Sequence, residues 1–225
     1  MRGSSSLPGG PWTIPLIAFA GIWEVTARLV HRTGLFPTFI DTLGSLPPLL
    51  TDALIRVVLG SLISVAISFA VAAGLALGIG AVIRRWGAWQ SGSRVLVWLA
   101  VVFLSLSLTQ LAVRGFGSGS NAVYMLGGGA SFLLMLALQS GGVSGMVVLD
   151  LGLLAAWVGV LSAESSVGGQ GLGALVQTAS QDSAPERFYA LCLLAAMIGL
   201  ALVTIFESLG GRLNLAKGSA RRARS

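Results

Sequence analysis

Between Ala122 and Ala163 the chain runs for 42 residues with a single charged side chain, Asp150. A helix rises about 1.5 Å per residue and crosses a hydrocarbon core of roughly 30 Å in about 20 residues, so this stretch has the length of two crossings. In lipid a lone spanning segment must satisfy its own backbone polar groups, so each crossing reads as a helix. The one break is "LQSGGVSGM", Leu138 to Met146, where Gly141, Gly142 and Gly145 permit a tight reversal. The spacing predicts spans over 122–140 and 143–163, hinged at Gly141 and Gly142.

Four further regions read as spans: 12–30, 54–83, 95–113 and 188–206, the third bracketed by Arg94 and Arg114. Only 10% of residues are charged and mean hydropathy is +0.87, whereas a soluble domain carries about 25% charge. The expected class is an all-α membrane protein, one transmembrane domain built as a six-span helical bundle, followed by a basic tail over 207–225. The leader "MRGSSSLPGGPW" runs into "WEVTARLVHR" rather than a small-residue cleavage site. It therefore reads as an uncleaved first span, with no soluble domain expected at either end. "GLFPTFIDTLGSLPPLL", with three prolines, reads as an interfacial or outside connector.

Charge bias tests the span count. With six spans, one side holds Arg2, Arg84, Arg85, Arg94, Arg212, Lys217, Arg221, Arg222 and Arg224, nine basic residues, against five on the other: Arg28, Arg32, Arg56, Arg114 and Arg187. Five spans would put the basic tail opposite the Arg84, Arg85 and Arg94 loop. The positive-inside tendency therefore favours six spans with both termini in the cytoplasm, and it accounts for the net charge of +6 without nucleic acid as a partner.

Small residues recur along the second span at Gly60, Ser64, Ser68 and Ala72, continued by Gly74 and Gly78, a pattern that lets helices approach closely in lipid. It suits packing within the bundle or a dimer interface. Gly127, Gly128 and Gly129 weaken a helix or admit a neighbouring backbone. Polar groups inside spans need a reason to be there. Asp150 is a candidate for a polar pathway, a partner to a basic residue, or an interfacial position. Glu24 sits four residues from Arg28 on one helical face and can pair with it. Ser107 and Gln110 belong to a polar segment that faces either a translocation route or another helix. The single cysteine, Cys192, and the single histidine, His31, exclude disulfide frameworks and zinc sites of the usual ligand set. No P-loop, GxSxG or HExxH occurs, so neither an enzyme nor a cofactor-binding protein is expected.

"WVGVLSAESSVGGQGLGALVQTASQD", Trp157 to Asp182, followed by an apolar span ending "FESLGGRL", resembles the C-terminal part of permease subunits of binding-protein-dependent ABC importers, of the nitrate/taurine/alkanesulfonate type. "GIWEVTARL", "RVVLGSLISVAISFAVAAGLALGIGAVIRRW" and "RGFGSGSNAVYMLGGGASFLLMLALQSG" are similar to that family's first span, second span and third-to-fourth junction. The matching positions in the outside segment are Ala163, Glu164, Gly171, Leu172 and Gly173. The resemblance implies a type I importer permease bundle in a bacterial inner membrane. It also implies a second permease subunit, cytoplasmic ATPase subunits, an extracytoplasmic solute-binding protein and a small, anionic solute. Glu164 becomes a candidate pathway or structural residue, and Gly171 and Gly173 an outside turn.

The chain departs from the family between spans four and five. Members carry a cytoplasmic loop with a Glu-Ala-Ala motif whose short helix docks into the ATPase. Here only "SGGVSG" stands there, and no Glu-Ala-Ala occurs in the sequence. A few glycines and serines do not make a helix. The third span also lacks the family's prolines, and Asp150 stands where a basic residue is common. These features imply a degenerate half working beside a complete permease. The alternatives are a non-transporting assembly or regulatory membrane subunit, and an independent proton-coupled carrier using Asp150 or Glu164.

Overall fold

The computed structural model describes residues 13–30, 36–85, 99, 111–117, 119–167, 170–182 and 185–222, and among them it is helical with no strand. The principal helices are α1 (Thr13–Val30), α2 (Phe39–Gly44), α3 (Asp52–Arg85), α4 (Ser120–Ser140), α5 (Gly145–Val167), α6 (Leu172–Gln181) and α7 (Pro185–Arg222), with a 3-10 turn at Pro47–Leu49. Four are long and apolar enough to cross a membrane: Asp52–Ile83 of α3, all of α4 and α5, and Pro185–Leu209 of α7. The anticipated third span falls almost wholly outside the described residues, as do Ser107 and Gln110; residues 111–116 are helical.

The 42-residue apolar stretch does divide into two helices. α4 ends in a motif that the glycines make possible: Gly142 adopts φ +76°, its N–H donates to Gln139 O (3.1 Å), and Val143 N–H donates to Leu138 O (3.2 Å). These are the two bonds of a Schellman cap, which satisfies the last carbonyls of the helix and turns the chain outward. α5 starts at Gly145, two residues later than the sequence suggests, because Val143 is taken up by the cap.

Helix directions follow from which residues meet. Ser61 of α3 reaches Glu164 of α5, Ser68 reaches Tyr124 of α4, and Ala72 and Ala76 pack with Met135 of α4 and Val148 of α5. Thus α3 and α4 run parallel and α5 runs against both. α7 follows the direction of α3, since Phe69 stacks edge-on against Phe206 at 5.7 Å and Trp157 Nε1 donates to Ala195 O at 3.1 Å. Two ends result: a Glu164 end, and a turn end holding Gly141 to Ser144. Arg85 and Ser120 lie at opposite ends.

Close approach defines the middle. Gly127 and Gly128 of α4 lie against Ser68 of α3, and Gly159 of α5 lies against the Gly127 backbone. Ser131 Oγ, buried, donates to Gly152 O at 2.8 Å. Three helices are therefore drawn together by glycine and serine contacts, the mode expected where lipid tails are as apolar as leucine. On α3 the face packed within the described chain is Ser61, Val65, Ser68, Ala72 and Ala76, all buried. Gly60, Gly74 and Gly78 have open space where a side chain would begin, and Ser64 is half-buried.

α1 and α2 attach at the Glu164 end. Trp23 of α1 packs against Phe36 (5.3 Å), Phe39 (5.9 Å) and Tyr189 at the start of α7 (5.7 Å), and its Nε1 donates to Pro37 O at 3.1 Å. The proline-rich connector is therefore a folded cap, with Thr38 as the N-cap of α2. α7 continues unbroken to Arg222, so most of the basic tail expected over 207–225 is helical. Ala, Leu, Arg and Lys favour helix strongly enough to carry it past Gly210 and Gly211.

Candidate functional site

Glu164, 4% exposed, sits near the end of α5 and faces α3 and the start of α6. The Ser61 hydroxyl donates to its carboxylate, 2.8 Å from Oε1 and 2.9 Å from Oε2. Gly173 N–H donates to Oε2 at 2.9 Å, and Leu172 N–H donates to Ser61 Oγ at 2.9 Å. Leu172 and Gly173 are the first residues of α6, whose leading N–H groups have no partner inside their own helix. Gly171, at the N-cap, has no side chain to offer. A carboxylate from one helix and a hydroxyl from another take over the cap. The partial positive charge of the helix N-terminus also favours an anion there.

The glycines are required by the fit. A methyl group at Gly171 would fall on the Glu164 carboxylate, and one at Gly173 would fall on the Leu161 carbonyl oxygen and within 2.9 Å of Glu164 Cβ. The segment 170–173 thus folds down onto α5 until the Gly173 N–H reaches the carboxylate.

Glu24 does related work at the same end. Its Oε1 pairs with Arg28 at 2.8 Å, as the four-residue spacing suggested, and its Oε2 accepts from Phe39 N–H at 3.1 Å. Phe39 is the first residue of α2. Glu24 and Glu164 therefore each cap a short helix that follows in the chain. The difference is that Glu24 has a basic partner; among the described residues Glu164 has none.

Beside the Glu164 lock is a cavity of about 270 Å³, entered between α3 and α4. Gly60, Ile63 and Ser64 form one wall, Ser120, Val123 and Tyr124 the other, and Glu164, Gln170 and Gly171 close it. In a bundle with an otherwise apolar exterior, this is a concentration of hydroxyl, amide and carboxylate groups. No lysine or arginine lines it among the described residues. A second space, about 500 Å³, lies between α5 and α7 beside Trp157 and Gly199 and is almost wholly apolar.

Asp150 is separate from both. It stands in the second turn of α5 at the turn end, with Oδ1 buried and without a hydrogen-bond partner. The charge acting on it is another carboxylate, Glu207 of α7. The structure therefore does not join Asp150 with Glu164 into one polar track. Nor, among the described residues, does it show a basic side chain paired with Asp150. Gly141, Gly142 and Gly145 form the short turn, and no helix projects from it. No group of His, Cys, Asp and Glu suited to a metal ion occurs among the described residues.

Sequence reasoning named Glu164, Gly171 and Gly173 but missed Ser61, which is 103 residues from Glu164 in the chain and holds both the carboxylate and the α6 N-terminus. The available signal was its neighbour: Ser64 and Ser68 had been selected on a strict four-residue row, and the row actually packed passes through Ser61. Comparison of this chain with protein families, with curated proteins and with solved structures finds no match.

Proposed function

We propose that this chain is a multi-pass, permease-like membrane subunit that lines part of a route for a small polar solute and is moved by a partner. The observation that carries this reading is the cavity at Glu164, whose lining mixes hydroxyl, amide and carboxylate side chains with Ile63 and Val123, set between two parallel apolar helices. Polar lining within a lipid-embedded bundle is costly unless it serves a solute, water or a protein neighbour. Six crossings are in keeping with the helix directions: α1 leads toward the Glu164 end, α3 leaves it, and α4 starts again at that end. The basic residues of the α3 terminus and of the α7 extension are at the turn end, which supports a cytoplasmic position for that end and for both termini. The setting implied is a bacterial inner membrane. The partners are a complete permease subunit, ATPase subunits and an extracytoplasmic solute-binding protein.

The turn between α4 and α5 bears on how such a complex would be driven. Four residues, 141–144, separate the helices, and two of them are fixed by the Schellman cap. A docking helix has no place in that turn, so this subunit would follow motions led by the complete partner. A ligand or a motor shifts a conformational equilibrium only by contacts that differ between states. In this chain those contacts would be with the other permease. The same turn, with Glu164 bonded to Ser61 and Gly173 of its own chain, favours a second reading, a non-transporting assembly subunit.

Affinity purification of the tagged chain in mild detergent tests the proposal. Co-purification of an ATPase and a second, longer permease is expected. A lone chain or homodimer would overturn it.

A further inference from the structure

We infer that the cavity bounded by Gly60, Ser64, Ser120, Tyr124, Gln170 and Glu164 binds a small organic monocation of the primary-amine type. This inference deepens the proposed function and rests on it for the role of the cavity; binding itself is measured independently of any complex.

Charge supplies the first argument. Among the described residues Glu164 is buried in a lipid-embedded bundle with no basic residue beside it, and two hydrogen-bond donors, Ser61 and Gly173, offset only part of the cost of burying an ionised carboxylate. A cation in the adjoining cavity supplies the missing opposite charge. An anion would meet a carboxylate with no lysine or arginine to compensate it among the lining residues. The anionic solute implied by the family resemblance therefore does not suit this cavity.

Hydrogen-bonding capacity supplies the second. An ammonium group carries three donors and no acceptor. The residues lining the cavity include Ser64, Ser120, Tyr124, Gln170 and Glu164, whose hydroxyl, amide and carboxylate oxygens are hydrogen-bond acceptors. Ile63 and Val123 offer an apolar surface for a short alkyl chain. The volume, about 270 Å³, is on the order of nine liquid-water volumes, enough for an alkylamine of several carbons. Ser61 and Gly173 hold the carboxylate in place before a ligand arrives, so little ordering remains to oppose binding.

Gly60 makes a clean test possible. It lines the cavity, yet a Cβ added there meets nothing within 4 Å among the described residues, so the side chain of Gly60→Leu starts in open space, off the packed face of α3. The full-length protein in detergent is titrated with pentylammonium chloride while thermal unfolding is followed, with sodium hexanoate and pentanol as the anionic and neutral probes. At roughly ten times its dissociation constant a single-site ligand should raise Tm by roughly 3–6 °C for a chain of this size. The expected result is a saturable rise with pentylammonium only, and its loss in Gly60→Leu, whose own Tm matches the wild type. Equal shifts with hexanoate or pentanol, no shift with pentylammonium, or an undiminished shift in Gly60→Leu would overturn the inference. Its failure leaves the co-purification result unaffected, and an isolated homodimer that binds pentylammonium would sink the importer reading while sustaining the site.

Discussion

Ser61→Ala probes the structure at the point where three helices depend on one small group. The hydroxyl donates to Glu164 at 2.8 Å and accepts from Leu172 N–H at 2.9 Å, so alanine removes two bonds while changing side-chain volume little. In water-soluble proteins a hydrogen bond to a charged group contributes about 1.5–3 kcal/mol, and a buried donor left without a partner costs about 1–3 kcal/mol. In membranes interhelical side-chain bonds average only about 0.6 kcal/mol, because separated helices find other partners. The Leu172 N–H bond is less open to that discount, since it closes the end of a short helix rather than joining two lipid-exposed side chains. A loss of about 2 kcal/mol is therefore expected, more than the membrane average and less than the soluble sum. The assay is reversible unfolding in mixed micelles with increasing SDS. Ser64→Ala, one turn along and outside the lock, is the control and should stay within about 0.5 kcal/mol. A cycle with Glu164→Gln should show coupling above about 0.5 kcal/mol, because the two side chains share a bond. If Ser61→Ala behaves like Ser64→Ala, the lock contributes nothing to stability and the reasoning fails.

Two further substitutions separate positions that look alike in the sequence. Gly173→Ala drives a methyl onto the Leu161 carbonyl and should cost about 3 kcal/mol or prevent folding, whereas Gly60→Ala, with open space around it, should remain near wild type in the same assay. Gly142→Ala places an L-residue at φ +76° and should cost about 1–2 kcal/mol, while Gly141→Ala, at φ −79°, should be close to neutral.

What could be read in the sequence was what depends on local pattern. The single charge across 122–163 and the glycines at its centre sufficed for two helices and a turn, because length, apolarity and a left-handed glycine position are local properties. The small-residue row on α3 packs only in part within the described chain, through Ser68 and Ala72, for a geometric reason. Each residue advances about 100° around the helix, so a strict four-residue repeat drifts by roughly 40° per step. Gly60 and Ala72 consequently point about 120° apart. The buried line corrects for this with mixed spacing through Ser61, Val65, Ser68, Ala72 and Ala76. Glu164 stood out as an acid in an apolar run, but its partners did not. Its bonds come from a serine on a distant helix and from the Gly173 backbone N–H, and a backbone donor carries no residue signature. The extended α7 was not anticipated either: charge marks where a helix leaves lipid, and nothing in a basic, helix-favouring segment ends the helix there.

The arrangement of the bundle places the Glu164 cavity and the bare α4–α5 turn at opposite ends, and the account depends on their lying on opposite sides of a membrane. Single cysteines at Gln170 and at Val143, in a Cys192→Ser background, test this with a membrane-impermeant thiol reagent. Gln170 is exposed at the cavity rim and Val143 is exposed in the turn. The account predicts that intact cells label Gln170→Cys and spare Val143→Cys, with the pattern reversed in inside-out vesicles. Labelling of both positions from the same side would contradict it.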